Sequence, residues 1–148
     1  GAKLMRILKC LIGLCSVILL SGCIAEEYDY SPPSITLGST GIQMVESNID
    51  WTRVDEYLKE TEDIMALAKQ QPLYLVQASK EDYIQFDSQD FAIKELTVSV
   101  WQGENQIPLE MKDERTFNFP SQAGEYVVEV NLVSDNGSAQ YVANILIE

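Results

Sequence analysis

The sequence predicts a mainly β fold, an antiparallel β-sandwich with one inserted amphipathic helix over about 53–70. Three observations predict it. Apolar residues alternate with polar ones in short runs. Glycine-bearing turns separate those runs at hairpin spacing. One segment alone, Thr52 to Gln71, repeats its apolar residues every three or four positions.

Taken in chain order, "SITL" and "GIQMVESNIDW" flank Gly38-Ser39-Thr40-Gly41, a turn with glycine at both ends for positive φ. The helical stripe follows: Val54, Tyr57, Leu58, Thr61, Ile64, Met65 and Ala68 on one face, acids and lysines on the other. Thr52 with Asp55 three residues on has the form of a capping box, and Pro72 stops the helix. Short strands are expected at Leu73 to Val76, Tyr83 to Phe86 and Thr116 to Phe119. In "KELTVSVWQ", Leu96, Val98 and Val100 oppose Thr97, Ser99 and Trp101; "QIPLEM" repeats the pattern after the Gly103-Glu104-Asn105 turn. The clearest hairpin is the last. Tyr126, Val128, Val130 and Leu132 lead into Asp135-Asn136-Gly137, and Ala139, Tyr141, Ala143, Ile145 and Ile147 return. Asn-Gly here predicts a type I′ turn with Gly137 at positive φ. So many short strands in about 115 residues argue a sandwich rather than a parallel sheet.

The N-terminal segment has another character. Met5 is the expected start, with Gly1 to Leu4 upstream of it; Arg6 and Lys9 carry positive charge, Cys10 to Leu20 is apolar, and Leu20-Ser21-Gly22-Cys23 closes the run with small residues. This stretch resembles bacterial lipoprotein signal peptides. The resemblance implies a lipobox, cleavage before Cys23 and diacylation of its sulfur, which places the mature protein at the cell membrane, lipid-anchored and facing away from the cytoplasm. The alternative, a spanning helix, needs about 20 apolar residues, and the uncharged run from Cys10 to Ala25 is shorter and meets Glu26 and Glu27 at once. Residues 1–22 are therefore read as signal, 23–33 as an acidic tether ending in two prolines, and 34–148 as the domain. Ten extended residues reach at most about 33–36 Å, so the domain is held near the membrane. Tyr28 and Tyr30 in the tether are expected to pack on the domain.

Composition narrows the chemistry. The three cysteines, Cys10, Cys15 and Cys23, all lie within or at the end of the signal, so the mature domain has no thiol for a disulfide or a metal site. Histidine is absent, which removes the commonest general base and metal ligand. Cleavage removes Lys3, Arg6 and Lys9, leaving 7 basic against 23 acidic residues, a net charge of −16. Such a body repels nucleic acid and favours cations or basic protein patches. No cofactor is expected. Asp87 and Asp90 offer too few oxygens at the spacing of a calcium loop and read as turn residues. A catalytic role falls to a remote alternative, a hydrolase using a carboxylate pair, since neither such a pair nor Ser79-Lys80 carries a signature.

"SPPSITLGSTGIQMVESNIDWT", "QPLYLVQASKEDYIQFD", "VSVWQGENQI" and "PSQAGEYVVEVNLVSDNGSAQYVANILIE" together resemble the small lipoproteins of low-GC Gram-positive bacteria that carry one immunoglobulin-like domain. The likeness covers most of Pro32 to Glu148. It implies an immunoglobulin-like sandwich in which Gly124-Glu125-Tyr126 is similar to a tyrosine corner, the hydroxyl tying the strand to backbone upstream. The Cys and core-Trp signature of antibody domains is absent, and no functional residue carries over from the family. Function is thus expected to be that of a membrane-anchored binding or accessory module of the cell envelope, acting through loops or a sheet edge on an envelope protein. The alternative is a polysaccharide- or cation-binding module, for which Trp51 and Trp101 are the ligand-platform candidates.

Overall fold

The computed structural model describes residues 31–148. The signal segment, Cys23 and its acylation, Tyr28, Tyr30 and most of the tether lie outside them. Among the described residues there are eleven strands and one short helix: β1 (Ile35–Leu37), β2 (Ile42–Gln43), β3 (Val45–Thr52), β4 (Glu56–Lys59), α1 (Ile64–Lys69), β5 (Leu73–Val76), β6 (Glu81–Phe86), β7 (Ile93–Gln102), β8 (Asn105–Leu109), β9 (Thr116–Asn118), β10 (Gly124–Ser134) and β11 (Gly137–Ile147).

The strands form two sheets, a small one in the order β2-β1-β6-β9 and a large one in the order β4-β3-β11-β10-β7-β8. One core joins them: Ile35, Leu37, Ile84 and Phe117 of the small sheet share it with Val100, Val128, Val130, Tyr141 and Ile145 of the large one. The alternation along β10 and β11 decides which residues enter it. Tyr126, Val128, Val130 and Leu132 are at most 3% exposed, as are Ala139, Tyr141, Ala143, Ile145 and Ile147. The result is a mainly β, two-sheet sandwich. One pairing departs from the antiparallel expectation: β5 lies parallel to the second half of β11, from Leu73 opposite Asn144 to Val76 opposite Ile147.

The helix is where the sequence reading needs correction. Instead of one element over 53–70, the chain makes a tight turn at Arg53-Val54-Asp55 and returns as β4 on the edge of β3, Trp51 opposite Tyr57 and Asp50 opposite Leu58. Val54 and Leu58, placed on the buried stripe by helical spacing, are 72% and 60% exposed. The open edge of β3 takes up residues 56–59 as a strand, and tertiary pairing overrides a short periodic pattern. Thr52 caps nothing; its N–H donates to the Asn136 carbonyl at 2.8 Å. The helical part begins with Asp63, whose carboxylate accepts from the Ala66 N–H at 3.0 Å, and runs only from Ile64 to Lys69. Within it the stripe holds: Ala68 is fully buried, with Ile64 and Met65 packed beside it.

The closing hairpin has the expected register but another turn. Ser134 pairs with Gly137 around a two-residue loop, Asp135-Asn136. Neither loop residue has positive φ, Ser79 being the one non-glycine among the described residues that does, so the type I′ geometry is excluded. Positive φ falls on Gly137 instead, at 131°. At the other end, Pro32 and Pro33 are buried and the Pro33 carbonyl accepts from the Tyr141 hydroxyl, so the packed domain begins two residues earlier than the tether boundary at 33.

Candidate functional site

The outward face of the large sheet is built from the polar half of each alternation. Register lines these residues up in rows across the strands. One row reads Gln106, Trp101, Val127, Asn144, Leu73; the next reads Pro108, Ser99, Glu129, Val142, Val45. Val127 and Val142 break the polar pattern, and α1 covers them with Ala68, whose small side chain lets the helix lie close. Beyond α1 the face opens into a cleft of about 260 Å3, with Met65 and Lys69 from the helix, Trp101 and Gly103 at the end of β7, and Glu125, Val127 and Asn144 from β10 and β11.

Trp101 is half-buried there and rigidly held. Its indole N–H donates to Glu129 at 2.7 Å. Glu129, only 5% exposed, also accepts from the side-chain amides of Gln140, at 2.8 Å, and Asn131. The Gln140 carbonyl in turn accepts from Ser47 at 2.8 Å and Asn48 at 2.7 Å, and Asn48 accepts from the Thr61 N–H. A carboxylate this deep is tolerable only when donors surround it. The network is complete, no buried side-chain polar atom among the described residues lacking a partner. Because the indole nitrogen is committed to Glu129, what Trp101 offers the cleft is the hydrocarbon of its ring.

Charge completes the site. The ion pairs among the described residues are Arg53 with Asp90 and Lys112 with Glu81. Lys69 and Glu125 therefore face one cleft with opposite charges and do not bridge it. The cleft presents a fixed aromatic wall, a cation, a carboxylate and an amide.

The two tryptophans separate. Trp51 is 2% exposed and meets Phe91 edge to face at 5.4 Å, so it is core and no platform; its place on β3, opposite Gly137, turns it inward. Trp101 alone remains at a surface. Tyr126 forms the underside of the cleft: it is 3% exposed, and its hydroxyl donates to the Gln122 carbonyl, four residues upstream, at 2.9 Å. Gly124 opens β10 with φ at 147°, a conformation that favours glycine. Asp87 accepts from the Ser34 N–H, and Asp90 pairs with Arg53. Ser79 sits in a turn at φ 62°, its carbonyl accepting from Asn118.

Sequence reasoning did not find Lys69, Glu125, Glu129 or Asn144. Glu129 and Asn144 read as ordinary polar partners in alternating strands, and only the register to β7 and the seat of α1 bring them to Trp101. Compared with family models, with curated proteins and with solved structures, the chain finds no match.

Proposed function

We propose that the chain is a lipid-anchored, extracytoplasmic lipoprotein, cleaved before Cys23 and diacylated there, whose domain is a binding or accessory module of the cell envelope. The order Leu20-Ser21-Gly22-Cys23 after a charged and then apolar run supports the anchor. The Tyr126 to Gln122 tie between packed sheets supports reading the sandwich as immunoglobulin-like. The partner is a protein, taken at the edge of β5. The carrying observation is that, among the described residues, β5 pairs on one side only, with β11, and sets Leu73 and Leu75 out at 46% and 64% exposure. An unpaired edge of this kind invites an added strand, with backbone bonds for affinity and alternate side chains for choice. The net charge of −16 in the mature chain makes that partner basic.

Two measurements test this. Intact mass of the membrane-extracted protein is expected to show loss of residues 1–22 and addition of acyl chains, and Cys23→Ala to release the protein from the membrane; unchanged mass overturns the anchor. A photo-reactive group placed at Leu73 is expected to crosslink one envelope protein, and Leu75→Asp to abolish the crosslink while the melting temperature holds. A crosslink indifferent to Leu75→Asp, or none at all, overturns the edge.

A further inference from the structure

We propose that the cleft beside α1 is a second site, independent of β5, and that it binds a neutral pyranose ring of a polysaccharide. Four observations carry it. The volume, about 260 Å3, falls just under the range of drug-sized pockets, roughly 300–1,000 Å3, and suits one ring with an exit to the next rather than a larger ligand. One wall is an aromatic ring whose polar nitrogen is already consumed by Glu129, at 2.7 Å, leaving carbon surface for the C–H groups of a sugar.

The polar groups around that wall are mixed. The Lys69 ammonium is a donor, the Glu125 carboxylate an acceptor, and the Asn144 amide both, which matches vicinal hydroxyls that donate and accept. A cleft for an anion or a cation would present one sign of charge; this one presents both, unbridged. Finally, the site is built in advance. Glu129 is 5% exposed and fully surrounded by amide and indole donors, and its network reaches from β7 across β10 and β11 to β3. Its effect is to fix the Trp101 ring before a ligand arrives, so no side-chain freedom is lost there on binding.

The test uses the full chain in detergent micelles, titrated calorimetrically with two neutral probes, the tetrasaccharide of N-acetylglucosamine and maltotetraose. At least one is expected to give saturable binding at millimolar concentration, with the fluorescence of Trp101 shifting alongside. Trp101→Ala should abolish binding. Because that change enlarges the cleft and loosens Glu129, Asn144→Ala and Lys69→Gln serve as the decisive variants. Asn144→Ala should weaken binding about tenfold, the loss of one hydrogen bond, and Lys69→Gln, which exchanges a charged donor for a shorter neutral one, should weaken it as well, while the melting temperature of each stays with that of the parent. Leu75→Asp should leave the affinity unchanged, which separates this site from the β5 edge. Absence of saturable binding by both probes, or binding untouched by Asn144→Ala and Lys69→Gln, overturns the proposal and leaves the β5 reading standing.

Discussion

A Cβ placed on Gly137 would lie 2.0 Å from the Asp50 carbonyl oxygen, because β3 passes directly against the turn. Two constraints meet at this residue, positive φ and close backbone approach, and neither tolerates a side chain. Gly137→Val is expected to destabilise the domain by about 1–3 kcal/mol or more, from strain and the forced shift of β3. Tyr126→Phe removes one buried bond and leaves the Gln122 carbonyl without its donor, an expected loss of about 1–3 kcal/mol. Glu95→Gln, on an exposed position, provides the control within about 0.5 kcal/mol. Urea denaturation of the three variants checks all of this; a Tyr126→Phe curve that overlays Glu95→Gln rejects the corner. At this scale the sequence was partly legible. Asp-Asn-Gly between alternating runs announced a glycine turn, but the type of turn depended on how β3 approaches it, and a single strand pair carries no record of a third.

The segment from Thr52 to Gln71 shows what decides an element. Its first half and its second half carry the same apolar spacing, yet one becomes a sheet edge and the other a helix. The difference is tertiary: β3 presents a free edge to residues 56–59, whereas Val127 and Val142 present an apolar patch to Ala68. Two substitutions distinguish these fates. Leu58→Thr, on a residue 60% exposed, is expected to change stability by no more than about 0.5 kcal/mol, though a continuous helix would make it a core loss. Ala68→Leu has no room between helix and sheet and should cost about 1–3 kcal/mol by overpacking. It should also move α1 away from the cleft, so a calorimetric titration with the saccharide probes reports the same displacement. The long alternating strands were legible because β7, β10 and β11 each bury one face, which period two records directly. The cleft was not, since its walls come from α1, the end of β7, the start of β10 and β11, which are far apart in sequence.

Over the whole molecule, the two ends of the domain are tied through Tyr141, whose hydroxyl donates to the Pro33 carbonyl 108 residues away. Burial, with smaller contributions from Glu46, Asp87 and Tyr57, raises the pKa of this phenol well above its ordinary 10.0. Burial and then Glu46 raise Tyr57 likewise. The folded state thus favours both neutral phenols: their contribution is complete below pH 10.0 and is lost as pH climbs above it, when the unfolded chain ionises first. Phenolate absorbance and circular dichroism followed together are expected to show Tyr141 ionising only as strand structure disappears; Tyr141 titrating in an intact fold rejects the assignment. The position of β11 has a consequence of its own. It follows every other strand in the chain, yet it lies at the middle of the large sheet, between β10 on one side and β3 and β5 on the other. Without it the β3–β4 pair and β5 are cut off from β10, β7 and β8. A chain emerging from its N-terminal end therefore cannot complete this sheet early: β3 and β5 must wait for residues 137–147 before pairing with β11 rewards the closure of the long loops between them. Late arrival of this one strand therefore sets when the two halves of the large sheet become a single sheet.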